Sequence, residues 1–203
     1  DYLSKPRLGV LLSGRGSNFE AIAHNVQSGA LNCEIGFVFS NRPEAPGLAR
    51  DAEWGLPHGS LSSRGMERGL FDRHAAALLK EHGVDWVCLA GYMRLLSGHF
   101  IAEFPQRIVN IHPSLLPAFP GLDAQYQALA HGAKITGCTV HLVDENLDSG
   151  PIVKQAAVPV LDTDTVETLS ARILAEEHRI YSEAIAWLLK GNYCIEGRRV
   201  IET

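Results

Sequence analysis

The sequence predicts an α/β fold in which a mainly parallel, twisted sheet is flanked by helices. Short apolar runs that contain hardly any charge alternate along the chain with longer segments whose apolar residues recur at helical spacing. Uncharged runs of this kind are typical of parallel strands that are covered on both faces. A chain of 203 residues, 46% of them hydrophobic, can bury one full core, so we expect a single domain over residues 1–203.

The first half of the chain alternates four predicted strands with helices. The apolar runs at 7–12 and 86–90 are the pattern of buried strands. After the first run, Phe19, Ile22 and Val26 recur at the spacing of a helix with one apolar face. The full set is strands over residues 7–12, 34–39, 57–61 and 86–90, with further helices over 47–54 and 67–82.

The second half continues the alternation and ends in a long helix. Ser97 can cap a short helix. Thr163 or Thr165 can cap a helix that continues to Lys190, and Gly191 is a typical helix stop. The other predicted elements are a helix over 124–131, a terminal hairpin over 193–201, a strand over 107–112, and strands over 134–143 and 151–160 that form either a hairpin or neighbours.

The composition argues against several classes of function. A net charge of −5 does not suit general nucleic-acid binding, which needs a basic surface. No run approaches the ~20 apolar residues of a membrane span, and the first residues lack the pattern of a signal peptide. The four cysteines form no CxxC pair and no zinc spacing, so we expect reduced thiols, mostly buried, and a cytoplasmic protein.

A glycine-rich turn, Ser-Gly-Arg-Gly-Ser-Asn at 13–18, lies between the first predicted strand and a helix. The N–H groups and dipole of a helix N-terminus make such a turn an anion site. Gly14 and Gly16 do not extend to a dinucleotide fingerprint, because Phe19 stands where the third glycine belongs, and no P-loop Gly-Lys-Ser/Thr follows. The turn therefore predicts a site for one phosphate monoester. The alternative is an ordinary tight turn with Asn18 as the helix cap.

A second polar cluster stands where a predicted strand runs into a rigid turn. Asn110 and His112 occupy alternate positions at the end of that strand, so their side chains point to the same face. Pro113 and Pro117 prevent the strand from continuing. Because ligands of open α/β sheets bind at such strand ends, we expect one pocket to hold both side chains.

General acid–base catalysis with oxyanion stabilisation is the chemistry that these side chains can perform. Asn110 can donate to an oxyanion, His112 can move a proton, and Asp148 can orient the imidazole. Ser114 lies outside any Gly-x-Ser-x-Gly elbow, and His141 is too isolated to indicate a metal site. The set suits direct attack of an amine on an acyl carbon. The alternative is a turn histidine with satisfied hydrogen bonds and an ordinary loop carboxylate.

Six stretches of the sequence match one known family, in order, over nearly the whole chain. They are Ser-Gly-Arg-Gly-Ser-Asn at 13–18, Leu-Ala-Gly-Tyr-Met-Arg at 89–94, Asn-Ile-His-Pro-Ser-Leu-Leu-Pro at 110–117, Pro-Gly-Leu at 120–122, Gly-Cys-Thr-Val-His at 137–141 and Asp-Ser-Gly-Pro at 148–151. Through them the chain resembles the folate-dependent phosphoribosylglycinamide formyltransferase family. The resemblance implies a Rossmann-like formyltransferase fold whose N-terminal half binds the phosphate and whose C-terminal half carries the catalytic strand and a folate loop.

The resemblance also implies an activity and partners. The activity is formyl transfer from 10-formyltetrahydrofolate, as co-substrate, to glycinamide ribonucleotide in de novo purine biosynthesis, without a metal. The implied partners are these small molecules, with no nucleic acid and no membrane, and the chain is a monomer or a homodimer.

Particular residues of this sequence acquire roles from the resemblance. Asn110, His112 and Asp148 match the catalytic trio, with His112 as the proton donor. Residues similar to the ribonucleotide-binding set are Gly16, Ser17 and Asn18, which hold the 5′-phosphate, and Leu174, Ala175, Glu176 and Glu177. Residues similar to the folate-binding set are Arg68, near the folate tail, and Met93, Arg94, Leu95, Leu96, Asn110, Asp144, Glu145, Asn146, Leu147 and Asp148.

One departure and several competing interpretations accompany the resemblance. After Pro-Gly-Leu, where members often carry a histidine, this chain has Asp123, Ala124 and Gln125, which bears on local substrate contacts more than on the reaction. Formyltetrahydrofolate hydrolase and methionyl-tRNA formyltransferase are expected to carry a further domain, and sugar-nucleotide formyltransferases usually lack the Gly-Ser-Asn turn. A non-catalytic nucleotide sensor would not need the catalytic trio. The alternative for Arg68 is an ordinary exposed helix charge.

Overall fold

The structure of the protein, a computed structural model, describes residues 4–203. Strands and helices alternate along the chain, and most of the described strand pairings are parallel, so the predicted α/β class is confirmed. The contacts divide the chain into two compact units, one that ends at Val109 and one that covers Asn110–Thr203. The expected single domain over residues 1–203 remains a prediction.

The first unit contains four complete strands and the start of a fifth. Its elements are β1 (Arg7–Leu12), α1 (Ser17–Gln27), β2 (Glu34–Ser40), α2 (Pro46–Trp54), β3 (His58–Ser60), α3 (Arg68–Glu81), β4 (Trp86–Leu89), α4 (Gly98–Glu103) and the beginning of β5 (Ile108–His112). The strands lie in the order β3-β2-β1-β4-β5, and their pairings are parallel. The predicted strands and helices of this half are therefore all present.

Strands β1 and β4 lie between other strands of the first unit, and their apolar side chains are buried. Val10 and Leu11 of β1 and Val87 and Cys88 of β4 have no exposed surface. Such two-sided burial is typical of parallel sheets with helices on both faces. Because the strands run in one direction, the loops after β1, β2 and β4 leave from the same edge of the sheet.

The second unit holds the rest of β5 and four further strands. Its other elements are α5 (Ala124–Ala130), β6 (Ile135–Leu142), β7 (Ile152–Pro159), α6 (Val166–Lys190), β8 (Tyr193–Glu196) and β9 (Arg199–Glu202). The order is β5-β6-β7-β9-β8. β6 pairs with β7 in antiparallel fashion, as β8 does with β9, whereas β7 and β9 pair in parallel. The predicted terminal hairpin is thus confirmed, and the two preceding strands are antiparallel neighbours.

Local sequence signals determine where helix α4 begins and where helix α6 begins and ends. The Thr165 hydroxyl accepts from the N–H of Thr168 at 3.2 Å, and the N–H of Thr165 donates to the Thr168 hydroxyl at 2.9 Å, which is a capping box. Gly191, with a φ of 74°, ends α6 in the left-handed conformation. Ser97 caps α4 as predicted, at 3.3 Å from the N–H of Phe100. Of the two predicted threonine caps, Thr165 is therefore the one used.

Gly150, just before β7, has no room for a side chain. A Cβ at this position would overlap the carbonyl oxygen of Leu142 at the end of β6. We expect Gly150→Ala to lower the free energy of unfolding by about 1–3 kcal/mol, as overpacking of a tight site does. Ser149→Ala is the matched control and should change little. Urea unfolding of both variants measures the effect, and equal stability of Gly150→Ala and the wild type would contradict it.

Candidate functional site

The end of β5 and the loop after β6 bring His112 and Asp148 together in the second unit. The Nδ1 atom of His112 lies 3.6 Å from Oδ2 of Asp148, and the two side chains are only 7% and 8% exposed. Asp148 has a φ of 50°, a conformation that residues other than glycine rarely adopt. Such a backbone persists only where its surroundings hold it. The predicted imidazole and carboxylate therefore form a nearly buried pair in a constrained loop.

The short segment 119–122 supplies the other partners of this pair. The carbonyl oxygen of Phe119 lies 2.9 Å from Nε2 of His112. The N–H of Gly121 donates to Oδ2 of Asp148 at 2.8 Å. Each ring nitrogen of His112 therefore faces an oxygen, and the Phe119 carbonyl is the one within hydrogen-bond distance. The arrangement places an acid–base side chain beside a carboxylate.

A second histidine, His141 near the end of β6, lies against Asn110. Its Nε2 is 3.3 Å from Nδ2 of Asn110, and its Nδ1 is 3.1 Å from the carbonyl oxygen of Leu142. Because Nδ1 can only donate to a carbonyl, Nε2 of the neutral ring accepts from the Asn110 amide. Burial lowers the pKa of His141 below its ordinary value of 6.5, against the opposing effect of the Leu142 carbonyl. His141 therefore fixes the orientation of the Asn110 amide.

Sequence reasoning misses His141 because it weighs the residue only as a metal ligand. The role of His141 depends on a contact with Asn110, 31 positions away. The available signal is that His141 ends an apolar strand and closes the stretch 137–141, one of the six that carry the resemblance.

In the first unit, the glycine turn after β1 opens helix α1. Gly16 precedes the helix with φ 71° and ψ 45°, the left-handed region that favours glycine. No side chain caps the helix, so the alternative interpretation of Asn18 as the cap is wrong, and Asn18 lies inside α1. The first N–H groups of a helix have no intrahelical acceptor and can bind an anion. Binding of a phosphate by Gly16, Ser17 and Asn18 remains a prediction.

Ser13, the first residue of the glycine turn, connects three loops at one edge of the first unit. Its hydroxyl donates to Oδ1 of Asn41 at 2.6 Å and accepts from the N–H of Met93 at 2.7 Å. Its own N–H donates to the carbonyl of Gly91 at 3.2 Å. Because Ser13 is only 2% exposed, these bonds are shielded from water and hold the turn against the loops after β2 and β4.

The loop 92–97, which follows β4 and contains four predicted folate-binding residues, rests on α3. Nε of Arg68 donates to the carbonyl of Leu95 at 3.1 Å. The Arg94 guanidinium lies over the ring of Phe71, 4.4 Å from its centroid, in a cation–π contact. Within residues 4–203, Arg68 makes no further hydrogen bond or ion pair, so its two terminal nitrogens can bind a ligand.

Asp72 is the third anchor of this loop. It is 1% exposed, and its Oδ2 accepts from the N–H of Ser97 at 2.6 Å. Oδ1 of Asp72, the hydroxyl of Tyr92 and Nε of Arg94 are buried without a hydrogen-bond partner among the described residues. Burial, with the nearby Asp72 carboxylate, raises the pKa of Tyr92, so this phenol keeps its proton. Buried polar atoms of this kind are typical of a site that binds a polar group.

A polar cavity of about 720 Å³ opens beside the loop 92–97 in the first unit. Three guanidinium groups and one carboxylate line it, and within residues 4–203 neither Arg42 nor Arg64 is engaged in an ion pair. Arginines without a counter-charge favour an anionic ligand, and their planar donors match a carboxylate. The lining residues are Asn41, Arg42, Pro43, Glu44, Ser62, Ser63, Arg64, Met93 and Arg94.

The other predicted contacts lie in the loop after β6 and on α6. Oδ1 of Asp144 accepts from the N–H of Asn146 at 2.8 Å, and Leu147 is an exposed apolar side chain. On α6, Glu177 is buried, whereas other carboxylates of that helix form surface ion pairs. Substrate binding remains a prediction for Asp144, Glu145, Asn146, Leu147, Leu174, Ala175, Glu176 and Glu177.

Residues 4–203 contain no group of three or more histidine, cysteine, aspartate or glutamate side chains that can hold a metal ion. Burial raises the pKa of Cys33 to about 11 and that of Cys138 to about 12, so both remain thiols at neutral pH. None of the helices described in this range combines the length and apolar character that a membrane crossing requires.

A family model and several known proteins match the chain. The family model described as formyl transferase matches residues 6–185. The chain is 39% identical to the phosphoribosylglycinamide formyltransferase of Escherichia coli (strain K12), over 90% of this chain and 86% of that protein. The crystal structure of glycinamide ribonucleotide transformylase 1 from Symbiobacterium toebii matches with a TM-score of 0.95 and 52% identity, and the match covers 98% of this chain and 94% of that one.

Other relatives are much longer than this chain. It is 43% identical to the trifunctional purine biosynthetic protein adenosine-3 of Drosophila melanogaster, over 94% of this chain and 14% of that protein. The human protein of the same name is 41% identical over 92% of this chain and 19% of its own length. The chain therefore spans less than a fifth of the length of these curated relatives.

The lowered pKa of His141 predicts how stability depends on pH. In the unfolded chain His141 takes up a proton near pH 6.5, whereas in the folded chain its pKa is lower. The stability that the neutral ring contributes is therefore present above pH 6.5 and is lost as the pH falls towards the folded-state pKa. His141→Gln keeps an acceptor for Asn110 but does not titrate. Its free energy of unfolding should therefore fall less steeply on acidification than that of the wild type.

Denaturant titrations at one pH above and one below that value measure this difference. His74→Gln, at an exposed histidine of α3, is the matched control and should keep the wild-type pH dependence. Identical pH dependence of His141→Gln and the wild type would show that His141 does not titrate differently in the two states.

Proposed function

The chain belongs to the formyl transferase family, and we propose that it transfers the formyl group of 10-formyltetrahydrofolate to the amine of glycinamide ribonucleotide in de novo purine biosynthesis. Relatives named phosphoribosylglycinamide formyltransferase or glycinamide ribonucleotide transformylase support this proposal. The observation that carries it is the nearly buried pair of His112 and Asp148, with Asn110 two residues before His112 on β5. These groups supply the proton donor, carboxylate and amide that acyl transfer to an amine needs.

The proposed reaction is direct attack of the substrate amine on the formyl carbon. A bond forms between the amine nitrogen and that carbon, and the carbonyl oxygen becomes an oxyanion. The bond between the carbon and N10 of the folate then breaks. The amine loses one proton and N10 gains one, so the step needs a proton transfer but no oxidant, reductant or metal.

Asn110 and His112 act on the oxyanion in this proposal. Nδ2 of Asn110 gives one hydrogen to Nε2 of His141, which leaves the second hydrogen for the oxyanion. The protonated ring of His112 stabilises the same negative charge and then donates its proton. His141 acts through Asn110, because holding one amide hydrogen aims the other.

Asp148 orients His112 and favours its charged form. Its Oδ2 lies 3.6 Å from Nδ1 of His112 and is fixed by the N–H of Gly121. A carboxylate at this distance stabilises an imidazolium more than a neutral imidazole, and the low exposure of both groups limits screening by water. Asp148 therefore holds the imidazole in place for proton transfer.

The ribonucleotide is anchored through its phosphate by the start of α1. Gly16, Ser17 and Asn18 supply N–H groups and the positive end of the helix dipole. Gly16 has no Cβ, so the backbone can approach the anion closely. Glu177, with Leu174, Ala175 and Glu176, is the proposed contact to the rest of this substrate. Anchoring of this kind contributes up to ~7–11 kcal/mol when two reactants are well aligned.

The formyl donor is proposed to contact the loop 92–97 and the loop that precedes Asp148. The first of these loops is held in place by α3, and a pre-formed loop lowers the cost of binding. The terminal nitrogens of Arg68 and the arginines of the polar cavity suit the carboxylates of a folate tail. The proposed donor contacts are Arg68, Met93, Arg94, Leu95, Leu96, Asn110, Asp144, Glu145, Asn146, Leu147 and Asp148.

A cytoplasmic location and a monomeric or homodimeric state remain predictions.

A formyl-transfer assay tests the proposed function. Purified protein is given 10-formyltetrahydrofolate with and without glycinamide ribonucleotide, and release of the deformylated folate is followed. We expect turnover only when the ribonucleotide is present. Turnover without any acceptor would identify a hydrolase instead. Binding of the ribonucleotide without turnover would contradict the transfer and indicate a nucleotide-binding protein.

Replacement of Asn110 by alanine tests the oxyanion role. We expect kcat of Asn110→Ala to fall ~100-fold or more, because loss of one oxyanion donor typically costs ~3–4 kcal/mol. KM for the ribonucleotide should change little, because its phosphate contacts are untouched. Asn192→Ala, at an exposed asparagine, is the control for a neutral amide replacement. A near-normal kcat of Asn110→Ala would remove the oxyanion role from this residue.

A further inference from the structure

One side chain of α5, Gln127, holds the turn that precedes this helix. Its Nε2 donates to the carbonyl of Pro120 at 3.0 Å and to the carbonyl of Leu122 at 2.8 Å. Both hydrogens of a single amide are therefore bound to the two residues that flank Gly121. Gln127 thus holds the residues on both sides of Gly121 through their carbonyl groups.

The segment 119–122, which Gln127 holds, bonds to both His112 and Asp148. Gly121 donates to Oδ2 of Asp148 at 2.8 Å, and the carbonyl of Phe119 lies 2.9 Å from Nε2 of His112. His112 and Asp148 are themselves 3.6 Å apart, which is longer than a hydrogen bond. Their relative position is therefore set by the segment 119–122 more than by a direct bond, and a shift of the segment moves both.

The segment 119–122 cannot hold its shape by local preference. Phe119 has a φ of 52° and Asp123, just after the segment, a φ of 55°, both in the left-handed region that non-glycine residues rarely adopt. Asp123 makes no side-chain cap to α5, and Leu122 is 73% exposed, so neither capping nor packing fixes this end. The amide of Gln127 supplies a restraint at this end, whereas the Ser114 hydroxyl and the His131 ring contact Phe119 at the other end.

We propose that Gln127 is a positioning residue for formyl transfer, which acts through the segment 119–122 to keep His112 and Asp148 in place. This role rests on the proposed function of the pair and goes beyond it, because among the described residues the side chain of Gln127 bonds only to Pro120 and Leu122. Both bonds are exposed, so water can replace them at little cost in stability. Loss of these two hydrogen bonds should therefore lower kcat rather than the free energy of unfolding.

Isosteric variants of Gln127 test this role. Gln127→Met keeps the length of the side chain but removes both donors, and Gln127→Glu places acceptor oxygens against the two carbonyls. We expect kcat to fall ~10–100-fold in both, the range that a displacement of about 1 Å at reacting groups produces, with KM for the ribonucleotide unchanged. Gln27→Met, at the exposed last residue of α1 and without a side-chain hydrogen bond among the described residues, is the matched control and should keep the wild-type kcat.

A second readout follows the imidazole of His112 directly. Its titration is recorded by NMR, and its resonance is assigned by its loss in His112→Gln. The ionisable groups that face this ring are the carboxylate of Asp148 and the imidazole of His141. Displacement of the segment changes the distance to Asp148, so the titration midpoint of His112 should move in Gln127→Met and stay unchanged in Gln27→Met.

The two readouts separate this role from the proposed function. The titration needs no substrate, so a wild-type protein without formyl transfer would overturn the proposed function and leave the role of Gln127 to be judged by the NMR midpoint. A wild-type kcat in folded Gln127→Met, or an unchanged midpoint of His112, overturns the positioning role. Where Gln127→Met does not fold, Gln127→Glu carries both measurements. Failure of both variants to fold would show that Gln127 serves stability instead.

Discussion

A nearly buried imidazole beside a nearly buried carboxylate is the interaction on which the second unit depends. His112 and Asp148 lose most of their contact with water, and burial of such groups is costly unless every polar atom finds a partner. The carbonyl of Phe119 and the N–H of Gly121 are those partners. To supply them, the backbone takes left-handed conformations that are unfavourable on their own. The turn before α5 is therefore shaped by the chemistry that it supports.

In the first unit, buried hydrogen bonds hold the loops that leave the parallel strands. Its parallel strands are apolar on both faces, so polar groups can gather only where the strands end. Ser13 and Asp72, both almost inaccessible to water, hold the loops there by accepting short hydrogen bonds from the N–H groups of Met93 and Ser97. A loop fixed in this way presents its own side chains, among them Arg94, without a large loss of freedom on binding.

Local signals in the sequence were sufficient to predict most of the strands and helices. Apolar runs predicted the strands, because a parallel strand buried on both faces excludes charge wherever it lies. Thr165 and Gly191 predicted the ends of α6, because capping involves only residues within one turn. Asn18 failed as a predicted cap for a related reason. Its side-chain chemistry suits a cap, but the left-handed backbone at Gly16 starts the helix two residues earlier.

The sequence by itself determined the fold class and the positions of Asn110, His112 and Asp148, because periodicity, strand ends and motif stretches are properties of the chain. Only the tertiary structure decided how these groups are held. The contact of His141 with Asn110 joins residues 31 positions apart, and the restraint of Gln127 on its turn depends on backbone dihedral angles. Neither leaves a pattern in composition or spacing. A hydrogen bond requires a particular distance and angle between donor and acceptor. For residues far apart in the sequence, only the folded chain sets that distance and angle.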